Sequence, residues 1–286
     1  MPDGVPPIAS EPWWVPVEPG TEVRLEVSRP AAARRGTVLL LHGMGGSAES
    51  CYLRHTAAAA LSRGFAAVRM NHRSCGGTEA RCRTLANGGQ SEDVGQVLRA
   101  LDGAGFPRPL AAIGFSLGGN VVLRWAGIMG GEAIADRVAG VSAPVDLARC
   151  CAALERPSNW PYQAFFVSML CRHLRRVRRV RDVAGPTAVP ALIRSIRRFD
   201  GFFTAPDAGF PSAEAYYAWG SAGGYLPGVR LPGLLLSPAN DPFVPPSVFA
   251  PHRAAASSSL RWLHPARGGH LGDRPAMTAA LMEWLE

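Results

Sequence analysis

Lysine is missing from this chain of 286 residues, and all 30 of its basic residues are arginine. A phosphate loop of the form G-x-x-x-x-G-K-[ST] is therefore ruled out, because its lysine cannot be supplied. Long apolar runs are missing too. No stretch reaches the roughly 18 uninterrupted apolar residues of a membrane span. The start, Met1-Pro2-Asp3-Gly4-Val5-Pro6-Pro7, lacks the basic and apolar regions of a secretory leader. The six cysteines, Cys51, Cys75, Cys82, Cys150, Cys151 and Cys171, form no C-x-x-C pair. Irregular spacing reads as reduced structural thiols of a cytoplasmic protein, with no metal site expected. Internal repeats, low-complexity tracts and a G-x-G-x-x-G dinucleotide fingerprint are also absent.

What remains is a chain that is 47% hydrophobic, enough to bury a full core. Its formal charge of +8 is concentrated in one block. Residues 172–198 hold nine arginines against the single acid Asp182, so the rest of the chain is close to neutral. Any electrostatic argument about partners rests on that block.

Strand and helix patterns alternate along most of the sequence. Strands are expected at 21–28, 37–41, 65–70, 110–115, 138–142, 231–236 and 260–264. Helices are expected at 47–63, 91–102, 118–130, 245–256 and 274–285. This predicts an α/β fold, a mostly parallel central sheet flanked by helices. The alternation breaks at 146–224, where the text is helical, basic and aromatic. Residues 1–30 then form an N-terminal extension and first strand, with Trp13 and Trp14 as packing anchors. Residues 31–145 and 225–286 form the core, and 146–224 a helical cap.

Gly114-Phe115-Ser116-Leu117-Gly118 carries the chemistry. It lies between an apolar strand and a helix, the context of a nucleophile elbow. Small residues two positions either side of Ser116 allow the sharp turn that exposes its hydroxyl. The helix N-terminus behind it favours developing negative charge. A serine hydroxyl needs a base to take its proton, and the base needs an acid to orient it. In this fold the order is serine, acid, histidine, each just past a strand. Asp241 in Asn240-Asp241-Pro242-Phe243 fits the acid, with Asp146 as its rival. His270 in Gly268-Gly269-His270-Leu271-Gly272 fits the base, with His264 as the alternative. His55, His173 and His252 read as ordinary surface or packing residues. The segment His42-Gly43-Met44-Gly45-Gly46 follows a buried strand. Its Met44 N–H, with that of Leu117, would form an oxyanion hole. His42 and Gly43 would border the substrate.

With these residues in place the chain resembles the YheT-like family of α/β-hydrolases. That family's relatives include animal membrane-anchored phospholipases and yeast medium-chain alcohol acyltransferases. The likeness rests on Asn71-His72-Arg73-Ser74-Cys75-Gly76-Gly77 and on Gly114-Phe115-Ser116-Leu117-Gly118-Gly119-Asn120. It also rests on Thr204-Ala205-Pro206, Gly209-Phe210 and Ala215-Tyr216-Tyr217, and on the two loops of Asp241 and His270. It implies an α/β-hydrolase fold with Ser116 as nucleophile, Asp241 as acid and His270 as base. It implies hydrolysis of carboxylic esters, with medium-chain acyl groups or lipids as substrates and no cofactor. The chain departs from the family at Ser74, often glycine there, around Gln90, and at Asp273. The last stands where an aromatic is frequent, which would alter the pocket mouth or a neighbouring acyl site.

Residues 161–182 carry an apolar stripe of Phe166, Leu170, Leu174 and Val177. Arg172, Arg175, Arg176, Arg178, Arg179 and Arg181 surround it. We expect a lid helix whose Phe165, Phe166 and Met169 face an acyl chain, with a solvated arginine face. The same face would suit an anionic lipid surface. No nucleic-acid motif accompanies it, so a nucleic-acid partner is not expected. Acyl transfer to an alcohol would use the same residues, and a non-catalytic scaffold on the same fold is the rival outside catalysis.

Overall fold

A computed structural model of the chain describes residues 7–31, 35–190 and 192–286. The opening residues 1–6, and the boundary region at 32–34 between extension and core, lie outside them. Eight strands form one sheet: β1 (Glu11–Glu18), β2 (Thr21–Ser28), β3 (Gly36–Leu41), β4 (Phe65–Met70), β5 (Leu110–Phe115), β6 (Arg137–Val141), β7 (Gly233–Leu236) and β8 (Leu260–Leu263). Their order is β1-β2-β4-β3-β5-β6-β7-β8. The β1–β2 and β2–β4 pairs are antiparallel, and every later pair is parallel.

The sheet is covered on both faces, so its central strands are buried at every position and largely apolar rather than alternating. Val38, Leu40, Ile113 and Phe115 point to one side, where helices α1 (Cys51–Ser62) and α10 (Arg274–Leu285) pack. Leu39, Leu41, Leu110 and Ala112 point to the other, against α2 (Glu92–Gly103) and α3 (Leu117–Met129). Between β6 and β7 the described residues contain no strand. They form α4 (Leu147–Leu154), α5 (Trp160–Val177), α6 (Ile196–Phe199), a π-helical turn at Asp200–Thr204, α7 (Ala205–Asp207) and α8 (Ala213–Gly220).

Two elements differ from expectation. Strand β1 lies within the Pro-rich start, which reads as an extension. Pro12 and Pro16 are tolerated because β1 is an edge strand with one neighbour. Trp13 stacks on Phe106 with ring centroids 5.9 Å apart, and Arg81 lies 4.3 Å over the Trp14 ring. The helix expected at 245–256 is only a 3-10 turn, Pro246–Val248, and the four-residue α9 (Ala250–Arg253). Pro245, Pro246 and Pro251 remove the donors a continuous helix needs. No helix among the described residues is long and apolar enough to cross a membrane.

Candidate active site

The turn from β5 into α3 gives Ser116 a φ of 51°, a value that L-residues rarely adopt. The turn is possible because its flanks are glycines. A Cβ on Gly114 would come within 2.0 Å of the Gly118 carbonyl oxygen, and one on Gly118 within 2.6 Å of the His42 carbonyl oxygen. The hydroxyl of Ser116 is thereby presented at the C-terminal edge of the sheet. Asn120, one turn along α3, ties the elbow to its surroundings. Its amide donates to the Gly88 and Gly220 carbonyls and accepts from Ala222 N–H.

The loops after β7 and β8 bring Asp241 and His270 to the same edge. His270 Nε2 lies 3.0 Å from Ser116 Oγ, and Nδ1 lies 2.9 Å from Asp241 Oδ2. A carboxylate only accepts, so Nδ1 carries the ring proton and Nε2 receives the serine O–H. Asp241 Oδ1 accepts from Phe243 N–H and Val244 N–H at 2.9 and 3.0 Å. Burial alone would raise the Asp241 carboxyl. The His270 hydrogen bond and charge and the two backbone donors outweigh it and hold the carboxyl below its ordinary value. The rivals lie elsewhere. Asp146 caps α4, accepting from Arg149 N–H, and His264 Nδ1 donates to the Ser237 carbonyl.

The loop after β3 is fixed by two histidines. His72 N–H donates to His42 Nε2 at 3.1 Å, so the His42 proton is on Nδ1, which donates to the Gly43 carbonyl at 2.7 Å. His72 Nε2 donates to the His42 carbonyl at 2.9 Å. Burial pushes both imidazoles below their ordinary value, His72 to about 4, and the neutral rings this pattern needs are thereby favoured. Gly43 N–H is occupied by the Tyr52 hydroxyl at 2.9 Å. Neither the Met44 nor the Leu117 N–H finds a backbone acceptor among the described residues. Burial raises Tyr52 above its ordinary value, so its hydroxyl stays protonated.

Ser116, His270, Gly43, Met44 and Leu117 border a cavity of about 830 Å³. Helix α5 covers it with Tyr162, Phe165, Phe166 and Leu170. Phe166 packs on Phe243, and Phe243 on the His270 ring, with centroids 5.5 and 4.8 Å apart. Met169 does not line the cavity. It rests on Gly45, where an added Cβ would meet its Sδ at 2.2 Å. His42 is fully buried behind the loop and does not reach the cavity wall. Sequence reasoning missed Tyr52, the bracing role of His72, and Asp200 with Tyr217 and Cys151, all three on the cavity wall. An acid set among Phe199, Phe202 and Phe203 was the available signal for Asp200.

The departures also find places. Ser74 has a φ of 55°, a conformation that favours glycine, and its Oγ donates to the Thr84 carbonyl. Gln90 Nε2 donates to the Leu85 carbonyl and to Thr84 Oγ1, and its Oε1 accepts from Asn87 N–H. Asp273 is exposed and caps α10 through Ala276 N–H; it does not itself line the cavity, but the adjoining Gly272 does. Part of the arginine block is already engaged. Arg176 pairs with Glu79, Arg181 with Asp207, and Arg197 with Glu155 and Glu214. Arg178 donates to the Pro186 and Thr187 carbonyls.

A serine on a strained strand-to-helix turn, a histidine and a buried aspartate at one sheet edge define the class of α/β-hydrolase-fold proteins. The chain belongs to the α/β-hydrolase family, whose sequence model matches residues 38–281. It is 30% identical over 260 residues to YheT of Escherichia coli, provisionally named an esterase, covering 90% of this chain and 76% of that one. It is 27% identical over 244 residues to the mouse phospholipase ABHD3, covering 84% of this chain but only 59% of that protein. The Pyrococcus furiosus esterase Pf2001 superposes with a TM-score of 0.67 at 13% identity, covering 97% of this chain and 91% of the other, a likeness of fold.

Proposed function

We propose that this protein is a serine carboxylic-ester hydrolase acting through an acyl-enzyme. The observation that carries the reading is the chain from Ser116 to His270 to Asp241, at 3.0 and 2.9 Å, at the wall of a largely apolar cavity. Ser116 Oγ attacks the ester carbonyl while His270 Nε2 takes its proton. The imidazolium then gives that proton to the departing alkoxide. Asp241 holds the ring in the Nδ1–H tautomer and stabilises its cationic form. The N–H groups of Met44 and Leu117 receive the oxyanion, and removing one such donor costs about 100-fold or more in rate. Water, activated by His270, releases the acid.

Residues 146–224 act as a cap over this site, and Phe165 and Phe166 take the acyl chain. The apolar lining and the lipases and esterases among the relatives support short- to medium-chain acyl esters or lipids as substrates. Trp160, Tyr162 and Phe165 are exposed on α5, and Arg175 near its end and Arg179 just past it have no carboxylate partner among the described residues. That combination supports contact of the cap with an anionic lipid surface.

The test is hydrolysis of p-nitrophenyl esters of increasing chain length by the wild type and by Ser116→Ala. Activity that peaks at a medium chain and vanishes in the variant is expected. Activity that survives in the variant would overturn the serine mechanism. Added alcohol converts part of the acid product to ester if the acyl-enzyme also transfers to alcohols.

A further inference from the structure

The cavity has a second polar feature that acyl-enzyme chemistry leaves unused. Asp200 is on its wall, and no other aspartate or glutamate lines it among the described residues. It opens the π-helical turn that follows α6, a distortion that often marks functional positions. Its neighbours Phe199 and Phe203 are fully buried, so the carboxyl sits in apolar surroundings.

Its partners are few and neutral. The Tyr217 hydroxyl donates to Asp200 Oδ2 at 2.7 Å, and Cys151 Sγ lies 3.4 Å from the same hydroxyl. A phenol has one proton. With that proton on the carboxylate, the Cys151 thiol donates to the phenolic oxygen. Burial raises both the Tyr217 hydroxyl and the Cys151 thiol above their ordinary values, so both remain donors. Arg197, the nearby cation, is spent on Glu155 and Glu214 and forms no ion pair with Asp200. A carboxylate offers about four acceptor positions, and the Tyr217 hydroxyl fills one. Acceptor capacity is therefore left over at the wall of an apolar cavity that also holds Ser116. A substrate hydroxyl would use it, and a neutral donor enters such a cavity without the desolvation cost of a cation.

We propose that Asp200, backed by Tyr217 and Cys151, is a specificity site for a hydroxyl group on the ester substrate. The protein then selects hydroxyl-bearing esters over plain alkyl esters of the same length. This rests on the reading of Ser116 as an ester-cleaving nucleophile, and it adds the substrate class.

The test compares kcat/KM for methyl decanoate, the methyl hydroxydecanoates and monodecanoylglycerol, with decanoylcholine as a cationic ester. The second set carries the hydroxyl on the acyl part and the third on the alcohol part, so the preferred set identifies its source. The wild type is expected to favour one hydroxylated set over the plain ester by about tenfold or more, the worth of a hydrogen bond to a charged group. Asp200→Leu is expected to bring that ratio below about threefold, and Asp200→Asn, which keeps one acceptor, to an intermediate value. If Asp200→Leu does not fold, the fall in Asp200→Asn decides. A wild-type ratio near one at every hydroxyl position would overturn the proposal. So would a ratio undiminished in the folded variants, or a preference for the choline ester. If plain esters are cleaved in a Ser116-dependent way without discrimination, only the Asp200 proposal falls. If no ester is cleaved and Ser116 takes no fluorophosphonate, the hydrolase reading falls and this proposal with it.

Discussion

Asp241 and Asp200 are both buried beside one cavity, 2% and 8% exposed, yet they are held in different states. Asp241 has two backbone N–H donors and the His270 ring, and its carboxyl lies below its ordinary value. Asp200 has a hydroxyl partner, and burial raises it to about 6. Burial is similar, so the difference comes from the donors. Backbone N–H groups are fixed in place by the chain, and a histidine can take up charge. Hydroxyls are weaker donors with no charge to offer. The first environment suits a carboxylate that must stay ionised while a neighbouring imidazole charges. The second suits one that still has a hydrogen bond to make.

The largest expected effect follows from exchanging each carboxylate for its amide. Asp241→Asn should lower kcat by about 10³ to 10⁴, because an amide no longer enforces the Nδ1–H tautomer. Asp200→Asn should lower kcat on plain esters by less than about tenfold, since it removes no group from the proton path. Similar losses in the two variants, measured by steady-state kinetics, would erase the distinction. Next in size is Tyr52→Phe. It frees the Gly43 N–H and loosens the loop that carries Met44, so kcat should fall by about tenfold with KM little changed. A smaller effect is expected from Phe166→Ala, which opens space beside Phe243. The acyl-chain optimum should move to longer chains, with loss of about 1 kcal/mol of discrimination on the shorter ones, roughly fivefold.

The smallest effect is on stability, and its sign is set by linkage. The Asp200 pKa is raised to about 6 in the folded state, above the unfolded value of about 4. The folded state therefore holds the extra proton between these values, and Asp200 costs stability as pH rises through that window. Asp200→Asn should raise Tm by a few degrees above pH 6 and by almost nothing at pH 4. The buried His72 and the half-buried His173, both lowered to about 4, act in the opposite sense: their contribution is lost as pH falls below about 6.5. Taking the difference between variant and wild type removes that background. A Tm difference that is flat with pH in calorimetry would mean that Asp200 ionises in the folded protein as readily as in the unfolded chain.

How much of this was legible in the sequence depends on how far apart the cooperating residues lie. Strands β3, β4 and β5 are mostly apolar runs, broken only by Thr37 and Arg69, and the elbow is a local motif, so both could be read directly. Asp241 and His270 could be found because each follows a strand that ends at the same sheet edge. Strand β1 was hidden by prolines that only an edge position tolerates. The helix expected at 245–256 is cut short by Pro245, Pro246 and Pro251, which remove the backbone donors it needs. The bracing of His42 by His72 joins residues 30 positions apart, and Asp200 acquires meaning only beside Tyr217 and Cys151. No local pattern announces either arrangement, because both arise when the loops and residues 146–224 are folded against the sheet.

The most direct measurement is mass spectrometry of the intact protein after a fluorophosphonate, followed by peptide mapping, for the wild type, Ser116→Ala and His270→Ala. One adduct on Ser116, absent from Ser116→Ala and formed far more slowly in His270→Ala, is the expected result. An unlabelled wild type, or an adduct that persists in Ser116→Ala, would contradict a serine nucleophile activated by His270.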